Sequence, residues 1–461
     1  MNKYFLSIAM LFMFYGITSA QLPNQNTYLL RQLDSYGSGY SALWGYTAPN
    51  GREYAILGCR DGTSFVDITD SANIRECDFV TGVQSGWREM KTYSHYAYVV
   101  SEGTNSRLQI IDLQYLPDSV SLVNTWSYSG YTKTHSIQQY NHYLYLNGGN
   151  AATSVGGVAV IDVIDPVAPV KLGQWATEYV HDCRVKDDTI WAANIYSGKI
   201  SIINATNKNN LEFVRSFQEY PQNTVSAHNC DFSPEGKYLY ATNEISSPVG
   251  KLSIWDITDR ANITFVRNWQ PTGITTSIVH NVEIYGNFAV IAHYTAGIRI
   301  LNISDPSNPT EVAWYDTYTS SNSSSFSGCW GVYKFPSGKI VGSDISGGLF
   351  VIKTNFPLTS NENENQNAES FTLSQNYPNP FNPVTNIKFS IKENSNVTLK
   401  VYDINGKQAA DVFSDRRDAG NYEVLFDAAN YGLSSGTYFY TLTANNGKQN
   451  FQETKKMLLI K

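Results

Sequence analysis

With 461 residues the chain is long enough for two or three domains, and 42% hydrophobic against 16% charged residues is the balance of ordinary folded protein, which excludes a disordered or fibrous chain. A formal net charge of −7 without any run of Lys or Arg excludes the basic footprint of a nucleic-acid binder, so nucleic acid is dropped as a partner. Aromatic residues reach 13%, with 32 Tyr, and rings of this kind favour pleated, half-buried strands, so the expected fold is all-β.

Residues 1–20, MNKYFLSIAMLFMFYGITSA, carry Lys3, an apolar run from Tyr4 to Tyr15, and small residues at Thr18 and Ala20. That is the pattern of a secretory signal peptide, removed before folding. The run is too short to span a bilayer and no other window approaches eighteen apolar residues, so no transmembrane segment is expected from Gln21 onward. The five cysteines, Cys59, Cys77, Cys183, Cys230 and Cys329, are odd in number and lack the spacing of a disulfide framework or metal knuckle. They are expected mostly as small buried apolar residues.

Residues 21–354 are repetitive. One strand type recurs as TSFVDITD (63–70), RLQIIDLQ (107–114), GVAVIDVIDP (157–166), KISIINAT (199–206), KLSIWDIT (251–258), GIRILNISDP (297–306) and GLFVIK (348–353). Each copy follows an aromatic-rich apolar run such as HYAYVVSEG (95–103), and the first six lead through an Asp/Asn/Pro turn into another short strand, such as VKLGQW (170–175). The unit is four strands, a to d, over about 45 residues, which is the length of a β-propeller blade. The seventh copy has no fourth strand after it, whereas TYLLRQL (27–33) precedes the first unit unpaired. The expectation is a seven-bladed β-propeller closed by an N-terminal strand, since closure removes exposed sheet edges. At its I-x-D-I and DP residues this region resembles the LVIVD-repeat propellers of the choice-of-anchor B family, with Asn204, Asn302 and Lys353 departing from the Asp of the repeat. The resemblance implies a propeller fold and export.

A histidine followed by Asp or Asn returns at one point of the unit, in VHDC (180–183), AHNC (227–230) and VHN (279–281). Aligning the blades places Trp44, Trp87, His135, His181, His228, His280 and Trp330 at the start of strand a, 43 to 52 residues apart. Strand a lines the axis, and strand b ends on the same face, so the b-strand ends Asp61, Glu102, Asn147, Asn194, Glu244, His293 and Asp344 join them at one mouth of the channel. An imidazole arc is expected over blades 3–6 and an indole arc over blades 7, 1 and 2. Three readings of this ring are open. The histidines hydrogen-bond within the blades; or rings beside His, Asn and carboxylates take a glycan or another polar small molecule; or His181, His228, His280 and His293 with Glu244 hold a transition metal, three ligands at most because neighbouring a strands diverge. In the metal reading Glu244 is a candidate general base. His95 and His142, by contrast, fall in turns at the opposite face and are expected to be solvated. No cofactor follows from any motif, and nucleophile-elbow, zincin and EF-hand patterns are missing from the sequence.

Residues 355–370, rich in Asn, Glu and Ser, read as a flexible linker. Beyond them, FTLSQNYPNPFNPVTNIKFSI (371–391) enters through three prolines, and alternating strands follow at VTLKVYDI (397–404), YEVLFDA (422–428) and GTYFYTLTA (436–444), which predicts a small Ig-like β-sandwich over 371–461. Through NYPNPFNP (376–383), VYDINGK (401–407), GLSSGTYFY (432–440) and KKMLLIK (455–461) this segment resembles the type A C-terminal sorting domain of the type IX secretion system. The resemblance implies a partner, the type IX machinery, and passage across the outer membrane to release or attachment at the cell surface. The resulting expectation is an exported propeller that binds or interacts, against two alternatives: a metal-dependent enzyme using the mouth histidines, and a purely structural surface protein.

Overall fold

The computed structural model describes residues 24–218, 226–358, 371–376, 378–417, 420–447 and 450–460, so the signal-peptide segment and most of the linker lie outside the described residues. Two compact units divide between Leu358 and Thr359. The first is built from seven antiparallel sheets, six of them in chain order from an inner to an outer strand and the seventh completed by residues Thr27–Leu33. Residue pairs Leu29↔Ile352 and Gln32↔Phe350 bring the leading strand onto the last blade, so the propeller is closed as the repeat count requires. The clasp also reaches one blade further: Asn24–Gln25 pair with Tyr315 and Trp314 of blade 6, and the Asn26 amide donates to the Val312 carbonyl. Two blades are thereby stapled by one segment.

Neighbouring blades pack face to face through apolar side chains of strands a to c. Between blades 2 and 3, for example, Tyr98, Val100, Leu108 and Ile110 meet Ile137, Leu144, Leu146, Ala159 and Ile161, all fully buried or nearly so. Burial of this kind stabilises at about 25 cal/mol per Å² of apolar surface, and it explains the Val/Ile/Leu runs of strands b and c. Four cysteines, Cys59, Cys183, Cys230 and Cys329, are buried thiols among these side chains, and Cys77 is half-buried.

The recurring Asp of the repeat has a local job. At the end of strand c, Asp67, Asp112, Asp162, Asn204, Asp256 and Asn302 each accept a hydrogen bond from the amide two residues on, at 2.8–2.9 Å. A second such turn follows three residues later in five blades, at Asp70, Asp165, Asn207, Asp259 and Asp305. Asn serves as well as Asp because the turn needs only a side-chain carbonyl-type oxygen. Blade 7 has no strand d of its own to turn into, so Lys353 stands there without loss.

His95 and His142 sit in the a-to-b turns as expected but are half-buried, and their carbonyls accept from Leu113 and Val163.

The second unit is a sandwich of a three-stranded sheet (Thr372–Leu373, Val384–Ile391, Gly420–Asp427) and a four-stranded sheet (Gln408–Arg417, Ser395–Tyr402, Gly436–Asn445, Asn450–Leu459). Its core holds Phe381, Ile387, Phe389, Leu399, Phe426, Tyr440 and Met457. The Asn-Pro segment clamps the last strand: Leu458 N–H donates to the Asn379 side chain and Phe381 N–H to the Leu458 carbonyl. A 3-10 turn at Ala428–Tyr431 is the one helical element among the described residues, and none is long and apolar enough to cross a membrane.

Candidate functional site

The inner strands begin with a defect that aims side chains. His135, His181 and His280 donate their amides to Asn147, Ala193 and Ala292 at 3.0, 2.8 and 3.0 Å, yet those same residues already face Ser136, Asp182 and Asn281. Two residues thus oppose one, which is a β-bulge. In blade 5 the register shifts between Ala227 and Asn229, leaving His228 as the extra residue, and in blade 7 between Cys329 and Gly331, leaving Trp330. A regular strand sends consecutive side chains to opposite faces. Here His135 with Ser136, His181 with Asp182, and His280 with Asn281 all line one cavity at the mouth, together with His228, Trp87 and Trp330.

The rings form a continuous arc. His135 to His181 is 3.9 Å between centroids, His181 to His228 4.3 Å, His228 to His280 4.4 Å and His280 to Trp330 4.9 Å. Trp87 and Trp330 meet edge to face at 6.3 Å. The indole arc has two members rather than three, and Trp44 is corrected. Blade 1 pairs Tyr40 with Cys59 and then Leu43 with Leu57, so Ser41 and Ala42 together oppose Gly58 and Ala42 takes the mouth position. Trp44 lies deeper, packed on Tyr333 at 4.9 Å with Lys91 Nζ 3.9 Å above its ring.

The residues after His135, His181 and His228 tie the blades together. Ser136 Oγ donates to the His181 carbonyl at 2.7 Å, Asn229 Nδ2 to Asp182 Oδ2 at 2.6 Å, and Val282 N–H to Asn229 Oδ1 at 3.1 Å. Asn147, a b-strand end, joins through Ser136 at 3.1 Å. Beneath this belt lie charges not singled out from the sequence: Lys91 Nζ is 3.1 Å from Glu89, and Arg184 reaches Asp231 at 3.3 Å and Glu283 at 3.0 Å. Their signal is the alternation of WREMK, HDCRV, HNCDF and HNVEI along the a strands. Burial pushes Glu89 up to about 7 despite its lysine.

Two b-strand ends reach the imidazoles. Glu102 Oε1 is 2.8 Å from His135 Nδ1, and that bond holds its carboxyl below the usual range. Glu244 Oε2 is 3.4 Å from His228 Nε2 and its Oε1 3.8 Å from His280 Nε2, while Tyr294 donates its hydroxyl to Oε1 at 2.5 Å. Burial raises Glu244 to about 7. The same burial, reinforced by neighbouring imidazoles, depresses His181 and His228 well below 6.5 and His280 to about 3, so all three are neutral at physiological pH. The Trp330 carbonyl accepts from His280 Nδ1, whereas the Nδ1 atoms of His181 and His228 are buried without a hydrogen-bond partner among the described residues. His181, His228 and Glu244 each present a ligand-type atom within 4.8 Å of the other two.

Other expected members are elsewhere. His293 is fully buried in blade 6, bonded to Ser277 Oγ at 3.1 Å and edge-on to Trp269, outside the imidazole arc, because its strand end turns into a tight loop closed by His293 N–H on the Gly297 carbonyl. Asn194 donates to Glu178 and Ser201, and Asp344 caps the amides of Ser346 and Gly347 and accepts from Thr317, so both serve their own loops. Asp61 is exposed beside the rim, with its carbonyl accepting from Gly82.

Residues 375–459 match the family described as secretion system C-terminal sorting domain, and residues 278–317, which span blade 6 from ahead of His280 to strand d, match the LVIVD repeat. The first unit is a β-propeller in which one blade matches the LVIVD repeat, and the second unit carries the match to the type IX sorting domain. No curated protein matches the chain in sequence. Among solved structures the chain is similar to a catalytically inactive virginiamycin B lyase from Staphylococcus aureus, at 10% identity and TM-score 0.50 over 72% of this chain and 99% of that one. It is also similar to U3-55K, at 8% identity and TM-score 0.50 over 71% and 98%. A periplasmic gluconolactonase from Pseudomonas aeruginosa aligns at 13% identity and TM-score 0.47 over 62% and 88%. At these identities the likeness bears on fold alone. The sorting domain, by contrast, bears on location: it supports export from the cell and engagement with the type IX machinery.

Proposed function

We propose that this propeller is a binding protein, carried out of the cell by its sorting domain and either released or held at the outer surface, that takes a polar organic ligand such as a glycan across its mouth face. The observation that carries the reading is a rim of exposed rings around a hydrogen-bonding floor: Trp87 is 47% exposed, Phe326 51% and Tyr196 74%. Rings left in water at this cost are suited to stacking on a ligand face, with His, Asn and carboxylate groups beside them to fix its orientation. The central cavity measures only ≈ 20 Å³, room for about one water-sized particle, so an organic ligand lies over the mouth and does not enter the channel. Next to it, Glu178, Tyr179, Tyr196 and Ser197 enclose ≈ 220 Å³, below the ~300 Å³ at which drug-sized pockets begin and therefore suited to one ring-sized group.

A glycan array probed with the full chain is the test. Signal lost in a Trp87→Ala, Tyr196→Ala double variant of unchanged melting temperature is the expected result; a signal that survives both changes, or none for the wild type on glycans and polar metabolites alike, overturns the reading.

A further inference from the structure

We infer that His181, His228 and Glu244 form a binding site for a divalent transition-metal ion, zinc by ligand preference. Two neutral imidazoles and one carboxylate are a donor set that zinc takes with a fourth position left for water or ligand. The three donor atoms lie within 4.8 Å of one another, and the His228 Nε2 to Glu244 Oε2 separation is 3.4 Å. Ligands about 2.05 Å from one tetrahedral ion stand ~3.3 Å apart, so the His228–Glu244 edge already has its final length and the His181 donor closes from within 4.8 Å. The ≈ 20 Å³ cavity that His181 and His228 line has room for one ion- or water-sized particle and for no larger group.

Charge accounting points the same way. Glu244 is nearly buried, and among the described residues no Lys or Arg stands within salt-bridge distance of it; its neighbours are two imidazoles and the Tyr294 hydroxyl. A buried carboxylate without a counter-charge is costly, and a cation in the imidazole arc removes that cost. The imidazoles are positioned for it too. His280, whose Nδ1 is occupied by the Trp330 carbonyl, turns Nε2 toward Glu244, the arrangement in which a backbone carbonyl fixes a ring for metal binding or for holding a ligand's carboxylate. The metal would lie at the centre of the ring-lined mouth, but its binding does not depend on any organic ligand.

The test is titration of the full untagged chain, stripped with chelator, with Zn²⁺ by calorimetry and with Co²⁺ by visible absorption. One equivalent is expected to bind at micromolar affinity or tighter, and Co²⁺ to give the intense d–d bands of a four- or five-coordinate site. His181→Ala and His228→Ala should each weaken binding at least tenfold, and Glu244→Gln, which keeps the shape and the Tyr294 contact if an alanine variant misfolds, should do the same. His142→Ala, remote from the mouth, should bind as the wild type. No stoichiometric uptake by the folded wild type overturns the site, as does uptake that Glu244→Gln leaves unchanged. The Trp87→Ala, Tyr196→Ala variant keeps its metal, so this inference and the glycan reading fail separately.

Discussion

The two ends of the propeller carry equally regular polar residues, and they differ in where those residues place their hydrogen bonds. At the far end, Asp or Asn closes strand c and is satisfied two residues along its own chain. At the mouth, the residues after His135, His181 and His228 bond to the neighbouring blade, and His181 and His228 keep ring nitrogens that no neighbour takes up. Repetition at the first end is an instruction for folding one blade. At the second it produces a shared belt, and above the belt an arc of side chains with unused bonding capacity. Recurrence alone therefore does not separate architecture from function; the fate of each donor and acceptor does.

The largest break in this contrast is expected from the belt. Asn229→Ala removes the partner of Asp182 Oδ2 and of the Val282 amide together, and leaving those two buried atoms unpaired should cost about 3 kcal/mol in denaturant unfolding. A loss under about 1 kcal/mol would mean that the belt does not tie the blades. Next comes the charge beneath it. Glu89 has a folded pKa raised above its unfolded value, so the folded state holds the proton longer and wild-type stability falls as pH rises from about 4.5 to about 7. Lys91 and Asp182 face it, and their influence is already contained in that net rise. Glu89→Gln has no proton to lose, so its stability relative to wild type should climb by about 2 kcal/mol across that window; a difference independent of pH would refute the burial argument. At the far end, Asp256→Ala deletes one local turn bond and should cost about 1 kcal/mol. Smallest of all, Asp256→Asn should be close to neutral by the same unfolding assay, because Asn204 and Asn302 already do this work.

Most of the architecture was legible because it repeats. Seven strand-c copies and one orphan strand at the start are enough to count blades and close the ring, and the two-residue clasp on blade 6 was not legible because Asn24 and Gln25 carry no periodicity. At the site, the four histidines of the arc and Trp87 and Trp330 stand where their spacing puts them. Trp44 does not, since the bulge of blade 1 falls at Ser41 and Ala42, two residues ahead of it, and a bulge leaves no mark in hydrophobic alternation. Strand-b ends were treated as equivalent, but Glu102 and Glu244 are long enough to reach the imidazoles while Asn194 and Asp344 are short and fold back on their own loops. Glu89, Lys91 and Arg184 were not singled out because only the first residue of each inner strand was aligned, although charged residues at a period of two along an axial strand point into the channel.

The central claim is that the mouth is an arc of buried, uncharged imidazoles. Ring-nitrogen NMR of the histidine-labelled chain tests it directly. His181, His228 and His280 should remain neutral at pH 5, more than a unit below the ~6.5 of a free imidazole. Protonation of these three rings at or above pH 6 would show a solvated, charged mouth and contradict the account.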